Sequence, residues 1–130
     1  DHRRQFVVIS HLMSDHYHDP ADVKRLKDMR ALASADYEAW ANFNRIIART
    51  DGAIPRKYRE IIAVAVAVAV QCPFCMEAHA RAAQAAGATR EEIVEATFVA
   101  SAIRAGAATT HGTMALKFFD QAAAPKPSQA

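Results

Sequence analysis

From Asp22 onward, apolar side chains recur every three or four positions, and this spacing predicts helices. Val23, Leu26 and Met29 form one stripe over Asp22 to Ala33. Ser34 or Asp36 can cap a second helix that carries Trp40, Phe43, Ile46 and Ile47 on one face, with Trp40 and Phe43 read as core. Asp51-Gly52-Ala53 interrupts the pattern, and Pro55 stands where a first helical residue tolerates a missing N–H, so a third helix is predicted from about Pro55 to Val70. Its second half, Ala63 to Val70, alternates alanine with valine, a period that would suit a strand. Both members of the alternation are apolar, however, so it marks no wet face. Alanine's helix propensity and the helical start favour a helix buried on nearly all sides. A chain of this size has difficulty burying such a helix, which predicts that a neighbouring subunit covers part of it.

A fourth helix is expected to open at the cysteines, with Pro73 in its first turn, and to end at Gly87, a residue suited to the left-handed cap. Thr89-Arg90-Glu91-Glu92 is a capping box and opens a fifth helix through Ile93, Phe98 and Ile103. The small residues Ala102, Gly106, Ala107 and Ala108 allow another helix to approach closely. A last helix is expected from about Thr113 to Gln121, with Met114, Leu116, Phe118 and Phe119 packing. The expected fold class is therefore all-α: a single-domain bundle of about six helices over residues 21–121. An N-terminal arm, 1–20, precedes it and a flexible tail, 122–130, follows.

Composition narrows the function more than the fold. Of 130 residues, 52% are hydrophobic, enough for one core. Sixteen Lys and Arg against fourteen Asp and Glu give a net charge of +2 with no basic run, and only 8% of residues are aromatic, so nucleic acid is not an expected partner. The longest apolar run, Ile61 to Val70, falls short of the ~20 residues that cross a bilayer, so no membrane partner is expected either. No charged leader followed by an apolar core opens the sequence, and two cysteines three positions apart close too small a loop to staple a secreted fold. The expected location is the cytoplasm.

Those cysteines, in Cys72-Pro73-Phe74-Cys75, carry the chemistry. A thiolate is the nucleophile, and an ordinary thiol with a pKa near ~8.5 is mostly protonated at neutral pH. At a helix start both sulfurs meet the positive end of the dipole and unpaired N–H groups. One can attack and the other resolve the intermediate as a disulfide. His79 follows Cys75 by four residues, on the same helical face, where its imidazole can take or return the thiol proton. Glu60 lies on the preceding helix, and if the two helices fold back as a hairpin its carboxylate can orient and polarise His79. No metal, flavin or other cofactor is required. A competing zinc reading would use Cys72, Cys75, His79 and His111, but the spacing to His111 matches no common finger or ribbon. His111 beside Gly112 reads as a loop or helix-end residue. His11, His16 and His18 read as part of a flexible arm in preference to a metal site, and Arg56, Lys57 and Arg59 as a solvated helix face.

Glu60, Cys72-x-x-Cys75, His79, Ala80, Ala83, Gly87 and Glu91-Glu92 together resemble the alkyl hydroperoxidase D-like group of the carboxymuconolactone decarboxylase superfamily. The resemblance spans roughly Pro55 to His111. It implies a small all-helical protein that assembles into a homo-oligomer, a trimer or hexamer, and a dithiol peroxidase that reduces hydroperoxides in antioxidant defence. It assigns catalytic roles to Cys72, Cys75, His79 and Glu60, with Cys75 attacking and Cys72 resolving. Thioredoxin-type logic, in which the N-terminal cysteine is the more exposed, argues the opposite order, and the order stays open. The implied partners are a hydroperoxide substrate and a dithiol reductant, thioredoxin-like or lipoyl-bearing. Phe74 stands where the best-known hydroperoxidases of the group carry histidine, and its apolar ring is expected to alter substrate access or thiol acidity. Two further readings remain: a redox-responsive stress or binding protein with little turnover, and a decarboxylase-like enzyme acting on a small carboxylate. The decarboxylase branch generally lacks the cysteine pair.

Overall fold

A computed structural model describes residues 18–123 of the chain. The expected tail beyond residue 123 and most of the expected arm, with His11 and His16, lie outside the described residues. Those described form one all-helical domain with no strand.

Asp19 opens the first element by accepting the Ala21 N–H on its side chain at 2.9 Å, and Pro20 supplies the preset backbone angle of a helical first residue. A 3-10 helix, Pro20–Arg25, runs directly into α1, Leu26–Leu32. Ala33, at φ −143° and ψ 64°, breaks the helix before α2, Ser34–Asn44, and α1 packs on α2. Ile46 and Ile47, expected on the α2 stripe, fall beyond its end. There the N–H groups of Arg45, Ile46, Ile47 and Ala48 each bond three residues back, so the helix tightens into turns. Trp40 and Phe43 are not core residues of this chain: they are 49% and 70% exposed.

The next helix, α3, Arg56–Val70, begins after Pro55 and includes the whole alanine-valine run. The helical reading of that run therefore holds, but the burial expected on nearly all sides does not: one stripe, Glu60, Val64 and Ala67, is buried, while Val66 and Val70 are 54% and 65% exposed in this chain. Gln71 ends α3 in the left-handed conformation, φ 59°, and the following Cys72 N–H bonds Ala67 O at 3.0 Å. The connection to α4, Pro73–Ala85, is so short that the two helices form a hairpin. Gly87, at φ 91°, closes α4 as expected: its position would strain any side chain, and it lets Ala88 N–H bond Ala83 O at 2.9 Å.

The capping box is formed in both directions. Glu92 N–H bonds Thr89 Oγ1 at 3.1 Å and Thr89 N–H bonds Glu92 Oε2 at 2.9 Å. It opens α5, Arg90–Ala123, a single helix of 34 residues where the sequence pattern predicts two. Gly106 and Gly112 do not break it, because neither stands at a left-handed position, and alanines flank Gly106. Thr109, Thr110 and Thr113 return their hydroxyls to carbonyls three or four residues back, which satisfies them without leaving the helix. His111 is accordingly neither in a loop nor at a helix end: it lies within α5, with Nδ1 2.9 Å from Ala107 O.

α3 packs against both α4 and α5. The contact is built on small residues, Ala67, Ala83 and Ala100, together with Val64, and the only buried charged residue among those described is Glu60. Alanines bring the helix axes close but bury little area. Large apolar side chains are left uncovered on every helix, among them Val66, Val70, Phe98, Ile103, Leu116 and Phe119, all more than half exposed. No described helix is long and apolar enough to cross a membrane.

Candidate active site

The short turn between α3 and α4 places the two cysteines at the start of α4. Cys72 is its N-cap, and its Sγ accepts the Cys75 N–H at 3.3 Å, the task a serine or aspartate oxygen performs elsewhere. The two are joined as a disulfide with Cα atoms 5.3 Å apart, within the normal range. Pro73, at the first helical position, lacks an N–H where none would be paired. The one remaining N–H of the first turn, that of Phe74, and the helix dipole favour negative charge here, and so favour thiolate once the bond is reduced.

One turn further along α4, His79 Nδ1 lies 2.8 Å from Glu60 Oε2, across the hairpin. Glu60 is 1% exposed, and its other oxygen accepts Arg56 Nε at 2.8 Å. A carboxylate only accepts, so the imidazole hydrogen sits on Nδ1 and Nε2 is left as the basic nitrogen. Arg56 neutralises the buried charge that this arrangement requires. The expected pairing of Glu60 with His79 is thus present as a direct contact. The expectation for Arg56 is sharpened: its side chain is 39% exposed yet paired with Glu60, and its Nη1 also reaches Ala48 O at 3.2 Å. Its signal is in the sequence, as an arginine four residues ahead of a glutamate on one helix.

Lys57 and Arg59 are committed as well. Lys57 Nζ lies 2.9 Å from Glu92 Oε1 and ties α3 to the start of α5. That ammonium, with the Thr89 N–H second, holds the Glu92 carboxyl below the usual carboxylate range. Arg59 donates to Ile46 O at 2.7 Å and to Ile54 O at 3.1 Å, and so holds the irregular connection between α2 and α3 against the helix.

That connection and α3 enclose a groove of about 310 Å³. Its walls are apolar side chains, including Ile46, Ile54, Ile62, Val66 and Val70, and Cys75 and His79 line it together. Arg59 is the cation on its lining, and two carbonyls already occupy its guanidinium. Cys72 does not line the groove. Among the described residues no three His, Cys, Asp or Glu side chains converge as a metal-binding group, and His111 belongs to the separate helix α5. His18, read from sequence as part of a flexible arm, is seated beside Phe74 with its ring 4.3 Å away.

Comparison with known proteins places this geometry in context. The model of the carboxymuconolactone decarboxylase family matches residues 37–118. An uncharacterized protein of Paracoccus denitrificans, described as protein 4 in the cox locus, is 44% identical over 92 residues, which is 71% of this chain and 81% of that protein. An uncharacterized protein of Cupriavidus necator is 33% identical over 92 residues, 69% of this chain and 81% of that one. Among solved structures, a protein from Methanobacterium thermoautotrophicum superposes with a TM-score of 0.60 at 34% identity, covering 66% of this chain and 96% of that one. A carboxymuconolactone decarboxylase family protein from Legionella pneumophila, solved in its apo form, superposes with a TM-score of 0.58 at 29% identity, covering 76% of this chain and 88% of that one.

Proposed function

The chain belongs to the carboxymuconolactone decarboxylase family, and from that membership we propose that it is an alkyl hydroperoxidase D-like thiol peroxidase. The observation that carries this reading is the Arg56–Glu60–His79 chain, built on a buried carboxylate, whose imidazole shares the groove with one sulfur of a Cys-x-x-Cys disulfide.

In the reduced protein, His79 Nε2 takes the thiol proton of Cys75. The thiolate attacks one peroxide oxygen and the O–O bond breaks. Cys75 becomes a sulfenic acid, and the departing alkoxide takes the proton back from His79 and leaves as an alcohol. Cys72 then attacks the Cys75 sulfur. The disulfide forms, and hydroxide leaves with the Cys72 proton as water. The balance is one hydroperoxide and two thiols converted to one alcohol, one water and one disulfide. An external dithiol, thioredoxin-like or lipoyl-bearing, returns two electrons and two protons and is itself oxidised to a disulfide. Because Cys75 lines the groove and Cys72 does not, Cys75 is the attacking residue in this proposal.

A small carboxylate substrate is disfavoured by the same groove. Its walls are mostly apolar, and the cation on its lining, Arg59, already gives Nε and Nη1 to carbonyls, so little of the lining suits an anion. A cycle that consumes external dithiols suits a reducing compartment such as the cytoplasm. The uncovered apolar side chains support a homo-oligomer, a trimer or hexamer by the resemblance.

The test is a single turnover. Pre-reduced protein mixed with an organic hydroperoxide is expected to lose two thiols per chain and release one alcohol. If both thiols persist while the peroxide is unchanged, the peroxidase reading fails.

A further inference from the structure

His18 stands outside both the proton relay and the groove, yet it touches the residue between the two cysteines. Its ring meets Phe74 edge-on, with centroids 4.3 Å apart and planes at 75°. Its Nε2 lies 3.5 Å from Glu77 Oε2, and the other oxygen of Glu77 accepts from Arg81 at 2.9 Å. Since the carboxylate only accepts, Nε2 carries the hydrogen and Nδ1 is a bare acceptor. Nδ1 is sealed from solvent and has no hydrogen-bond partner among the described residues. Burying such a nitrogen is unfavourable, so the ring is held by its edge-to-face contact and by Glu77. The chain turns away immediately afterwards, where Asp19 caps the 3-10 helix and Pro20 fixes its first angle. His18 is therefore braced from both sides, with 22% of its side chain exposed.

The position has a consequence for the disulfide. At 3.6 residues per turn, Phe74 and Glu77 lie on one flank of α4, while Cys75 and His79 lie about 150° around the helix from them. The turn that carries the disulfide is thus bounded by the groove on one side and by the His18–Phe74 pair on the other.

We propose that His18 is a specificity-determining residue of the dithiol site: with Phe74 it walls the Glu77 flank of the first α4 turn, so that a compact dithiol reaches the disulfide through the groove while the broad contact face of a folded redox protein is held off. The proposal rests on the dithiol reading above. The reaction it governs is reduction: an incoming thiolate bonds one disulfide sulfur, and the other leaves as thiolate. The second thiol of the reductant then displaces the first cysteine and closes the reductant's own disulfide, so two electrons pass to the pair.

The experiment uses the oxidised full chain without peroxide and measures second-order rate constants for reduction by dithiothreitol and by reduced thioredoxin. His18→Ala is expected to raise the thioredoxin rate about tenfold while the dithiothreitol rate stays within about a factor of two. His18→Phe, which keeps an aromatic ring in the same place without a bond to Glu77, is expected to keep the wild-type ratio of the two rates. An unchanged ratio in His18→Ala overturns the proposal, as does an equal acceleration of both reductants, since that would report a loosened turn. A His18→Phe protein that behaves like His18→Ala overturns it too. Should His18→Ala not fold, Phe74→Leu removes the ring that His18 leans on. It is expected to move the ratio the same way, and no movement counts against the wall. Because no peroxide is present, failure of the peroxidase assay and failure of this one are separate results.

Discussion

Replacing Glu60 by glutamine tests the relay with the least change of shape. The carboxylate is 1% exposed and both its oxygens accept, one from Arg56 and one from His79, each at 2.8 Å. A glutamine offers one oxygen and one NH2 group, so either one donor faces another donor or the imidazole must move its hydrogen from Nδ1 to Nε2. Leaving a buried polar group unpaired costs ~1–3 kcal/mol. The Arg56 guanidinium is 39% exposed and can turn toward water, so the loss is expected near the middle of that range, ~2 kcal/mol. The effect on chemistry is larger. If the NH2 group of the introduced amide faces the ring, it donates to Nδ1 and moves the hydrogen to Nε2, which removes the base proposed for the Cys75 thiol. Positioned acid-base groups contribute ~10²–10⁴-fold, and a loss of at least ~10²-fold in the rate of thiol oxidation is expected. Stability is read by urea denaturation at one fixed protein concentration, and the rate by stopped-flow mixing of reduced protein with tert-butyl hydroperoxide across pH 5 to 9. A Glu60→Gln protein as stable as wild type that oxidises at the wild-type rate would show that Glu60 neither supports the fold nor tunes His79.

Cys75→Ser is expected to abolish peroxide consumption. Cys72→Ser should still consume one equivalent and stop at a sulfenic acid, trapped with dimedone and weighed by mass spectrometry; the reverse outcome would exchange the two roles. Because the Lys57 ammonium depresses the Glu92 carboxyl in the folded chain, the stabilisation it provides is present above the unfolded carboxylate range. It is lost as pH falls through the folded value. Thermal melting of wild type should therefore decline more steeply between pH 5 and pH 3 than that of Glu92→Gln, and parallel declines would contradict the assignment. Ile103, 71% exposed on α5, is expected to be covered in the proposed homo-oligomer. Ile103→Asp should lower the mass measured by light scattering, and an unchanged mass would place the contact elsewhere.

The elements that local rules control were legible in the sequence. Thr89 and Glu92 cap α5, Gly87 closes α4, and the alanine-valine run is helical, each for a reason contained in a few neighbouring residues. The errors share a different cause. Gly106 and Gly112 suggest a break because their cost to a helix is known, while the threonine and histidine bonds that satisfy the helix around them are invisible until it exists. Trp40 and Phe43 have the pattern of core residues, but a periodic stripe does not say whether the surface that covers it belongs to the same chain.

The site divides along the same line. Cys72, Cys75 and His79 follow from spacing on one helix, and Glu60 from the supposition of a hairpin. What the sequence withheld was the electrostatic condition for Glu60: an acid at 1% exposure needs a cation, and Arg56 supplies it from one turn away on α3. Proximity in sequence groups Arg56 with Lys57 and Arg59 as one solvated face, although all three point to different partners: a buried carboxylate, the cap of α5, and the carbonyls of the connection beside the groove. His18 was beyond any local rule, since it lies 59 residues from Glu77. The Arg56–Glu60 pair and the cysteines with His79 are thus each encoded within one helix, while what surrounds them, the Ile46 and Ile54 wall of the groove and His18, comes from outside both helices.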